Sequence, residues 1–267
     1  MRRHKFSLLL LCGLSIIAAA PGYLVAQPPA AAVAVFNTYV SALESRLAGQ
    51  HKSQNAFLAP LKSALESEAR LRHGELIVEQ LTPAEVAMQG ALLHHWRGTA
   101  FAPGATVADF ERLMRDFNSY PRHFSPQVVR AVALSGHGDR YQTSLRLRQR
   151  HIITVVMDAT FDVSFARLDP RHGYSISRST RISEIESPGT PAERTLSPGE
   201  EHGFLWLSNT YWSYEERDGG LYMQVESVSL TRSIPHGLAW AVRPFVESVP
   251  RESLEFTLRA TCNALRK

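Results

Sequence analysis

The stretch GFLWLSNTYWSYEERDGGLYMQVESVSLTRSIP, residues 203–235, is the strongest indication of the fold in the sequence. Two runs rich in aromatic and β-branched residues flank Asp218-Gly219, a dipeptide suited to a type I′ turn because both central residues need positive φ. With these two residues as the turn, Tyr214 pairs with Met223 across the hairpin. The sequence therefore predicts a long antiparallel hairpin.

The two faces of this hairpin differ in chemistry. Because side chains alternate along a strand, one face carries Thr210, Trp212, Tyr214, Met223, Val225 and Ser227, and the other carries Tyr211, Ser213, Glu215, Tyr222, Gln224 and Glu226. The first face is apolar and aromatic, and the second is polar. We expect the apolar face to cover a hydrophobic interior.

Residues 1–26 have the composition of a secretory signal peptide. Arg2, Arg3 and Lys5 precede a short apolar run, and Ala26 places a small residue before a cut. We therefore expect a cleaved signal and a secreted or periplasmic protein. An uncleaved membrane anchor is the alternative, although the apolar run is short for a membrane span.

Charge and composition exclude several classes of function. The whole chain has 29 basic and 25 acidic residues, and without the three basic residues of the signal the balance is 26 to 25, a net charge of +1. No concentrated basic stripe indicates nucleic-acid binding. Arg146, Arg148 and Arg150 alternate on one strand face and are typical of a solvated outer face. The mature chain keeps one cysteine, Cys262, so it cannot form an intrachain disulfide.

Motifs for metals, cofactors and catalysis are also missing from the sequence. His94 and His95 are adjacent in a predicted strand, so they point to opposite faces and cannot bind one metal together. There is no nucleophile elbow, phosphate-binding loop or pair of cysteine ligands. The carboxylate pairs Glu184/Glu186 and Asp158/Asp162 alternate with polar neighbours and are typical of a solvated face. We expect no metal, no cofactor and no catalytic residues.

Residues 27–90 are predicted to form an N-terminal helical extension. It contains two helices, Val35–Leu47 and Phe57–Leu71, and a short strand, Glu75–Gln80. Apolar residues of the first helix recur on one stripe at Val35, Tyr39, Leu43 and Leu47, and those of the second at Leu61, Leu65 and Ala69. This extension is expected to dock on the rest of the chain, on an envelope protein or on a membrane.

Residues 91–267 are predicted to form the main domain. A first strand, 91–102, precedes a helix with Thr106 as its N-cap and a corner broken by Pro121 and Pro126. Further strands are predicted at Gln127–Ser135, Tyr141–Arg148, Ile152–Ala166 and Tyr174–Ile185, before the hairpin. A C-terminal helix is predicted from Pro250 onward.

This α+β order of elements resembles the helix-grip fold of the START-like, polyketide-cyclase-like superfamily (SRPBCC-type). The resemblance lies in the segments FERLMRDFNSYPRHFSP (110–126), YWSYEERDGGLYMQVESVSL (211–230) and PRESLEFTLRATCNAL (250–265). The chain is also similar to secreted bacterial proteins that share the segments HHWRG and SLTRSIP. The resemblance implies a curved antiparallel sheet that wraps the last helix and leaves a cavity between them.

The resemblance to this fold implies a set of candidate ligand-binding residues. The cavity walls would be Phe161, Phe165, Trp212, Tyr214 and Met223, and the entrance gate would include Tyr120 and Phe124. Arg178 shares a strand face with Tyr174, Ile176, Thr180 and Ile182, so it is expected to point into the cavity and bind an anionic head group or a carbonyl. The alternatives are a structural ion pair or a rim position for Arg178, and a plain structural corner at Tyr120.

Three hypotheses for function follow from these features. The first is a binding protein that holds a lipid-like or aromatic ligand without transforming it. The second is a cyclase or dehydratase acting on an aromatic or polyketide substrate, with Arg178 and an inward acid or histidine as the acid–base pair. The third is an interaction module whose N-terminal helices dock on an envelope partner.

Overall fold

The computed structural model describes residues 27–53, 56–82, 88–150, 153–233 and 239–266. The predicted signal peptide, residues 1–26, lies outside the described residues. Side chains of the C-terminal helix are described from Ser248 onward.

Five helices and nine strands occur in the described part of the chain. The helices are α1 (Ala30–Gln50), α2 (Ala64–Arg72), α3 (Val107–Arg115), α4 (Tyr120–His123) and α5 (Ala239–Leu265), with a 3-10 turn at Phe117–Ser119. The strands are β1 (Ile77–Gln80), β2 (Ala91–Pro103), β3 (Val128–His137), β4 (Arg140–Arg150), β5 (Thr154–Asp169), β6 (His172–Glu186), β7 (Arg194–Thr195), β8 (Leu207–Arg217) and β9 (Gly220–Arg232). No described helix is both long and apolar enough to cross a membrane.

The strands form one antiparallel sheet in the order β1-β2-β9-β8-β6-β5-β4-β3, and β7 pairs with β6. We call the face that packs against α5 the inner face and the opposite face the outer face. The predicted α+β helix-grip fold is confirmed, because the long C-terminal helix lies on a large antiparallel sheet.

The predicted hairpin is confirmed in turn and register. Asp218 and Gly219 have φ values of 56° and 73°, as a type I′ turn requires. Tyr214 pairs with Met223 and Trp212 with Val225, and the side chains of all four belong to the main hydrophobic core. The apolar face of the hairpin is therefore part of the inner face.

The polar face of the hairpin is also buried, which the sequence did not predict. Tyr222, Gln224 and Glu226 are at most 3% exposed, because the N-terminal extension covers the outer face of the sheet. The extension even joins the sheet, since β1 pairs with β2 as an edge strand.

The N-terminal helices differ from their predicted register. The buried stripe of α1 is Ala32, Phe36, Val40, Leu43 and Leu47. Leu43 and Leu47 were predicted correctly, whereas Val35 is 39% exposed and Phe36 takes the buried position. In α2 the predicted contact residue Leu65 is exposed and Leu71 is buried. The helical period alone left the helix free to rotate by one residue, about 100°.

The start of α3 agrees with its predicted position, and the start of α5 does not. The Thr106 cap is confirmed as a capping box, in which the Thr106 hydroxyl accepts from Asp109 N at 3.1 Å. The C-terminal helix begins at Ala239, before the predicted start at Pro250, and continues through Pro244 and Pro250. Each proline removes one backbone hydrogen bond without ending this helix.

Candidate functional site

The C-terminal helix touches distant parts of the curved sheet within about one helical turn. Leu254 and Leu258 pack directly over Gly98 in β2, at the place where a larger residue would need a Cβ. Ser253 Oγ accepts a hydrogen bond from Gln149 Nε2 in β4. Since β9, β8, β6 and β5 lie between β2 and β4, five strand spacings, about 24 Å of sheet, separate these contacts. The sheet therefore curves around α5.

The part of the inner face nearest the hairpin turn is covered by packed side chains. The Phe110 ring of α3 lies 4.4 Å from the Tyr214 ring and 5.3 Å from the Trp212 ring, measured between centroids. Tyr214 and Met223 are fully buried, and Trp212 and Phe165 belong to the same core. These four residues face inward, as predicted, but they are packed against protein. Their contact with a ligand stays a prediction.

The inner face of β4 and β5 is less well covered. Leu145 and Leu147 of β4 and Phe161 and Val163 of β5 are only half-buried, although they lie on the same face as the filled core. We call these four residues the apolar wall. Of the predicted cavity-wall residues, Phe161 is thus the one that is only partly buried.

Two rows of mostly hydroxyl-bearing side chains cross the inner face between the apolar wall and β2. The first row, read from strand to neighbouring strand, is Val163, Ser177, Thr210, Ser227 and Trp96. The second row is Thr143, Phe161, Ser179, Ser208, Ser229 and His94. We call them the hydroxyl rows. Serine and threonine are small, so these rows project less from the sheet than the aromatic side chains of the core do.

The direction of α5 places an earlier part of the helix beside the hydroxyl rows. Leu258 lies over Gly98, and Cys262 Sγ lies 4.0 Å from the carbonyl oxygen of Phe101. The helix therefore runs along β2 in the same direction as the strand. Its turns before Leu254 lie toward Trp96, at the level of the two rows.

Arg178 lies on the outer face, and its predicted position in the cavity is wrong. Its Nε donates to Glu44 Oε1 of α1 at 2.7 Å, and the Tyr211 hydroxyl donates to the same oxygen at 2.9 Å. Tyr174 and Ile176 do share this face, since both pack toward α1. The predicted place of Ile182 on the same face is wrong, because a register shift after Arg178 pairs Ile182 with Ala159 on the inner face. Alternation separates two faces but does not say which one faces the interior. The pairing with Glu44 also removes Arg178 from the acid–base pair of the enzyme hypothesis.

The predicted entrance gate forms a tightly bonded corner. The Tyr120 hydroxyl donates to the Met114 carbonyl oxygen at 2.7 Å, and its ring packs against Phe117 and Phe124. Burial raises the pKa of Tyr120 above its ordinary value. Phe124 is itself buried. These contacts favour the structural alternative, and a gating role stays a prediction.

A buried polar group at the end of the core was not predicted. The Tyr214 hydroxyl donates to Glu111 Oε1 at 3.1 Å, and Arg167 Nη2 donates to Glu111 Oε2 at 2.8 Å. Burial, followed by the charge of Glu111, raises the pKa of Tyr214 well above its usual range. Arg167 neutralises Glu111, so this cluster joins α3 to β5 and β8.

A polar network fastens α1 to the outer face. Glu226 Oε2 accepts hydrogen bonds from Arg46 Nη2 at 2.6 Å and lies 2.9 Å from His95 Nε2, while His95 Nδ1 lies 2.7 Å from the Tyr39 hydroxyl. Burial alone would raise the pKa of Glu226, but the bonds from His95 and the charge of Arg46 lower it. His94 points to the inner face and lies 3.1 Å from Thr231 Oγ1, so the two histidines face opposite ways, as predicted. Leu43 is buried, and the Tyr39 hydroxyl is hydrogen-bonded to the sheet. These residues therefore pack within the chain, which weakens the interaction-module hypothesis.

Glu184 is buried, in contrast to the predicted solvated position. Its carboxylate accepts hydrogen bonds from the backbone N–H groups of His202, Gly203 and Phe204 at 2.9–3.0 Å. It also lies 2.7 Å from His202 Nδ1. Glu184 therefore organises the loop before the hairpin. Asp158, from the other predicted pair, is held by Arg146 on the outer face.

Two of the cavities among the described residues lie away from the inner face. One of about 70 Å³, lined by Glu44 and His51, separates α1 from the sheet and is too small for a typical organic ligand. The other, about 340 Å³, is a polar groove outside the hairpin turn, lined by Arg171 and Glu216. Glu216 already accepts from Val107 N at the start of α3. Within the described residues, no group of three or more potential metal-ligating side chains comes together.

Comparison with known proteins identifies structural neighbours. No protein-family model and no curated protein matches the chain. A protein from Thermus thermophilus is similar at 12% identity and a TM-score of 0.46, covering 63% of this chain and 94% of its own. A STAR-related lipid transfer protein from Xanthomonas axonopodis is similar at 17% identity and a TM-score of 0.43, covering 71% of this chain and 99% of its own. The Zhui aromatase/cyclase from Streptomyces sp. R1128 is similar at 12% identity and a TM-score of 0.43, covering 64% of this chain and 93% of its own. Likenesses at these values assign neither a ligand nor an activity to this chain.

Proposed function

We propose that this protein is a secreted or periplasmic binding protein that holds a hydrophobic ligand between the sheet and its C-terminal helix, without transforming it. The observation that carries the proposal is the contact of α5 with both β2 and β4 across about 24 Å of curved sheet. A concave, partly apolar space under a helix is a common form of small-molecule site.

The chemistry of the lining supports binding rather than catalysis. The apolar wall supplies half-buried Leu145, Leu147, Phe161 and Val163, which would gain burial from an apolar ligand. The buried carboxylates near the site, Glu111 and Glu184, already bind Arg167 and backbone N–H groups. Neither carboxylate is placed to act as a free general base.

A matched pair of tryptophan substitutions tests the proposal. Val163 points to the inner space, whereas its neighbour Asp162 is exposed on the outer face. Protein produced from the full chain is extracted with organic solvent for mass spectrometry, and Nile red binding is followed by fluorescence. We expect a co-purified apolar compound and saturable dye binding that Val163→Trp weakens about ten-fold and Asp162→Trp leaves unchanged. Absence of any apolar compound together with absence of saturable dye binding would defeat the proposal.

The secreted location rests on residues 1–26 and has its own test. Cleavage after Ala26 leaves Gln27 as the first residue of the exported protein. Amino-terminal sequencing of protein recovered from the periplasm or medium is expected to begin at Gln27. A product that retains Arg2 and Arg3 and stays with the membrane fraction would support the anchor alternative.

A further inference from the structure

The hydroxyl rows carry more polarity than a site for a purely hydrocarbon ligand needs. We infer that the ligand has an uncharged polar part with several oxygen atoms, and that this part lies against Ser177, Thr210 and Ser227. The inference rests on the proposed function and specifies the chemical class of its ligand. The apolar wall, beside the same rows, would receive the hydrocarbon part.

The three hydroxyl groups of the first row support this placement. Within the described part of the chain, the side-chain hydroxyls of Ser177, Thr210 and Ser227 make no hydrogen bond to a protein group, and they are not sealed from solvent. All three residues are half-buried and lie on adjacent strands, with Ser177 opposite Thr210 and Thr210 opposite Ser227. Three neighbouring hydroxyls in one line are therefore available to a ligand.

At the ends of the rows, two polar side-chain atoms are buried without a partner among the described residues. Thr143 is fully buried, and its Oγ1 makes no hydrogen bond within the described residues. Trp96 Nε1, at the β2 end of the first row, is likewise buried and unpaired among those residues. Both side chains lie on the inner face. A buried donor or acceptor without a partner is costly, and a ligand oxygen or hydroxyl at these positions would satisfy it.

The charge of the described strands in the two rows favours a neutral polar part. The two rows contain no carboxylate, ammonium or guanidinium group, and their one titratable side chain is His94 beside Thr231. The charged residues that alternate with the first row, such as Arg178 and Glu226, point to the outer face and are paired there. An anionic head group placed on the rows would lose water without gaining a countercharge from these strands. Hydroxyls both donate and accept, which suits alcohol, ester or amide groups.

Three probes with one hydrocarbon chain and different polar ends separate these possibilities. They are 1-oleoylglycerol, which is neutral and carries several oxygens, oleate, and octadecene, which has no polar end. Each is titrated against delipidated protein from the full chain by displacement of Nile red at pH 8. We expect 1-oleoylglycerol to bind about ten-fold or more tightly than either of the others.

A hydroxyl-deleting variant tests the residues directly. Ser177→Ala/Thr210→Val/Ser227→Ala removes the three hydroxyls and changes shape little, and Ser144→Ala/Thr160→Val removes two hydroxyls from the outer face of β4 and β5. We expect the first variant to weaken 1-oleoylglycerol binding about ten-fold or more while octadecene binding stays the same. The control variant should match the wild type for all three probes. Thermal unfolding of both variants checks that the fold is kept.

The possible outcomes separate this inference from the proposed function. Equal affinities for the three probes, or a triple variant that behaves as the wild type, would overturn the inference and leave hydrophobic binding in place. Preference for oleate would overturn the neutral class. Failure of the wild type to bind Nile red and all three probes would overturn the proposed function itself. If the triple variant does not fold, the preference of the wild type among the three probes still decides.

Discussion

The position of α1 on the sheet leads to a sharp prediction about two adjacent residues. Phe36 is 3% exposed and packs in the cluster that joins α1 to β2, β8 and β9, whereas Val35 is 39% exposed. Phe36→Ala removes a buried aromatic ring and leaves a cavity, which typically costs about 3–5 kcal/mol of unfolding free energy. Val35→Ala removes little buried surface and favours the helix slightly, so we expect a change within about 0.5 kcal/mol.

Urea unfolding followed by tryptophan fluorescence measures both effects. Trp206 lies in the same cluster as Phe36 and serves as the reporter. At about 2–4 °C per kcal/mol for a chain of this size, Phe36→Ala should also lower the melting temperature by about 10 °C. A larger loss for Val35→Ala than for Phe36→Ala would refute this packing, because α1 would then be rotated by about 100° on the sheet.

Three further predictions concern pH, the loop before the hairpin and Arg178. Burial, then the charge of Arg46, lowers the pKa of His51 from 6.5 to about 4, so the unfolded chain binds a proton in that range and the folded chain does not. Stability should therefore fall by up to about 3 kcal/mol as the pH drops from 6.5 to 4, and His51→Gln should flatten this loss in urea unfolding at several pH values. Glu184→Ala should lower the free energy of unfolding by about 2–4 kcal/mol, because buried N–H groups lose their acceptor. It should also speed proteolysis between residues 187 and 206. Unchanged proteolysis would contradict the role of Glu184 in this loop. Arg178→Gln should leave Nile red binding unchanged and cost about 0.5–1 kcal/mol through the half-exposed pair with α1, whereas a ten-fold loss of binding would return Arg178 to the ligand site.

Local patterns predicted several parts of the fold correctly. The turn residues Asp218 and Gly219 set the hairpin register, because positive φ at both positions belongs to one turn type. The hydroxyl of Thr106 set the start of α3. Period-2 alternation also grouped Arg178 with Tyr174 on one strand face. Each of these depends on neighbours in sequence or on a single strand pair.

The candidate site was predicted less well, because its location depends on which face of each strand is inside. On β6, the large residues Tyr174 and Ile176 suggested an inward face, while the small residues Ser175, Ser177 and Ser179 lie inward. The available signal was the alternation of serine with larger residues, but small polar residues are also typical of solvated faces. Only the contacts of α1 on one side and α5 on the other identify the serine face as the inner one.

The sequence by itself determined most of the strands, the hairpin register, the helix-grip order and which side chains share a face of the hairpin. Tertiary structure alone decided that both faces of the hairpin are buried, that Glu226 and Arg178 hold α1, and that the hydroxyl rows lie on the inner face. The physical reason is the range of the interactions. Turn geometry and side-chain alternation act over a few residues, whereas burial of a face depends on segments about 180 positions away in the chain, as in the Arg46–Glu226 bond.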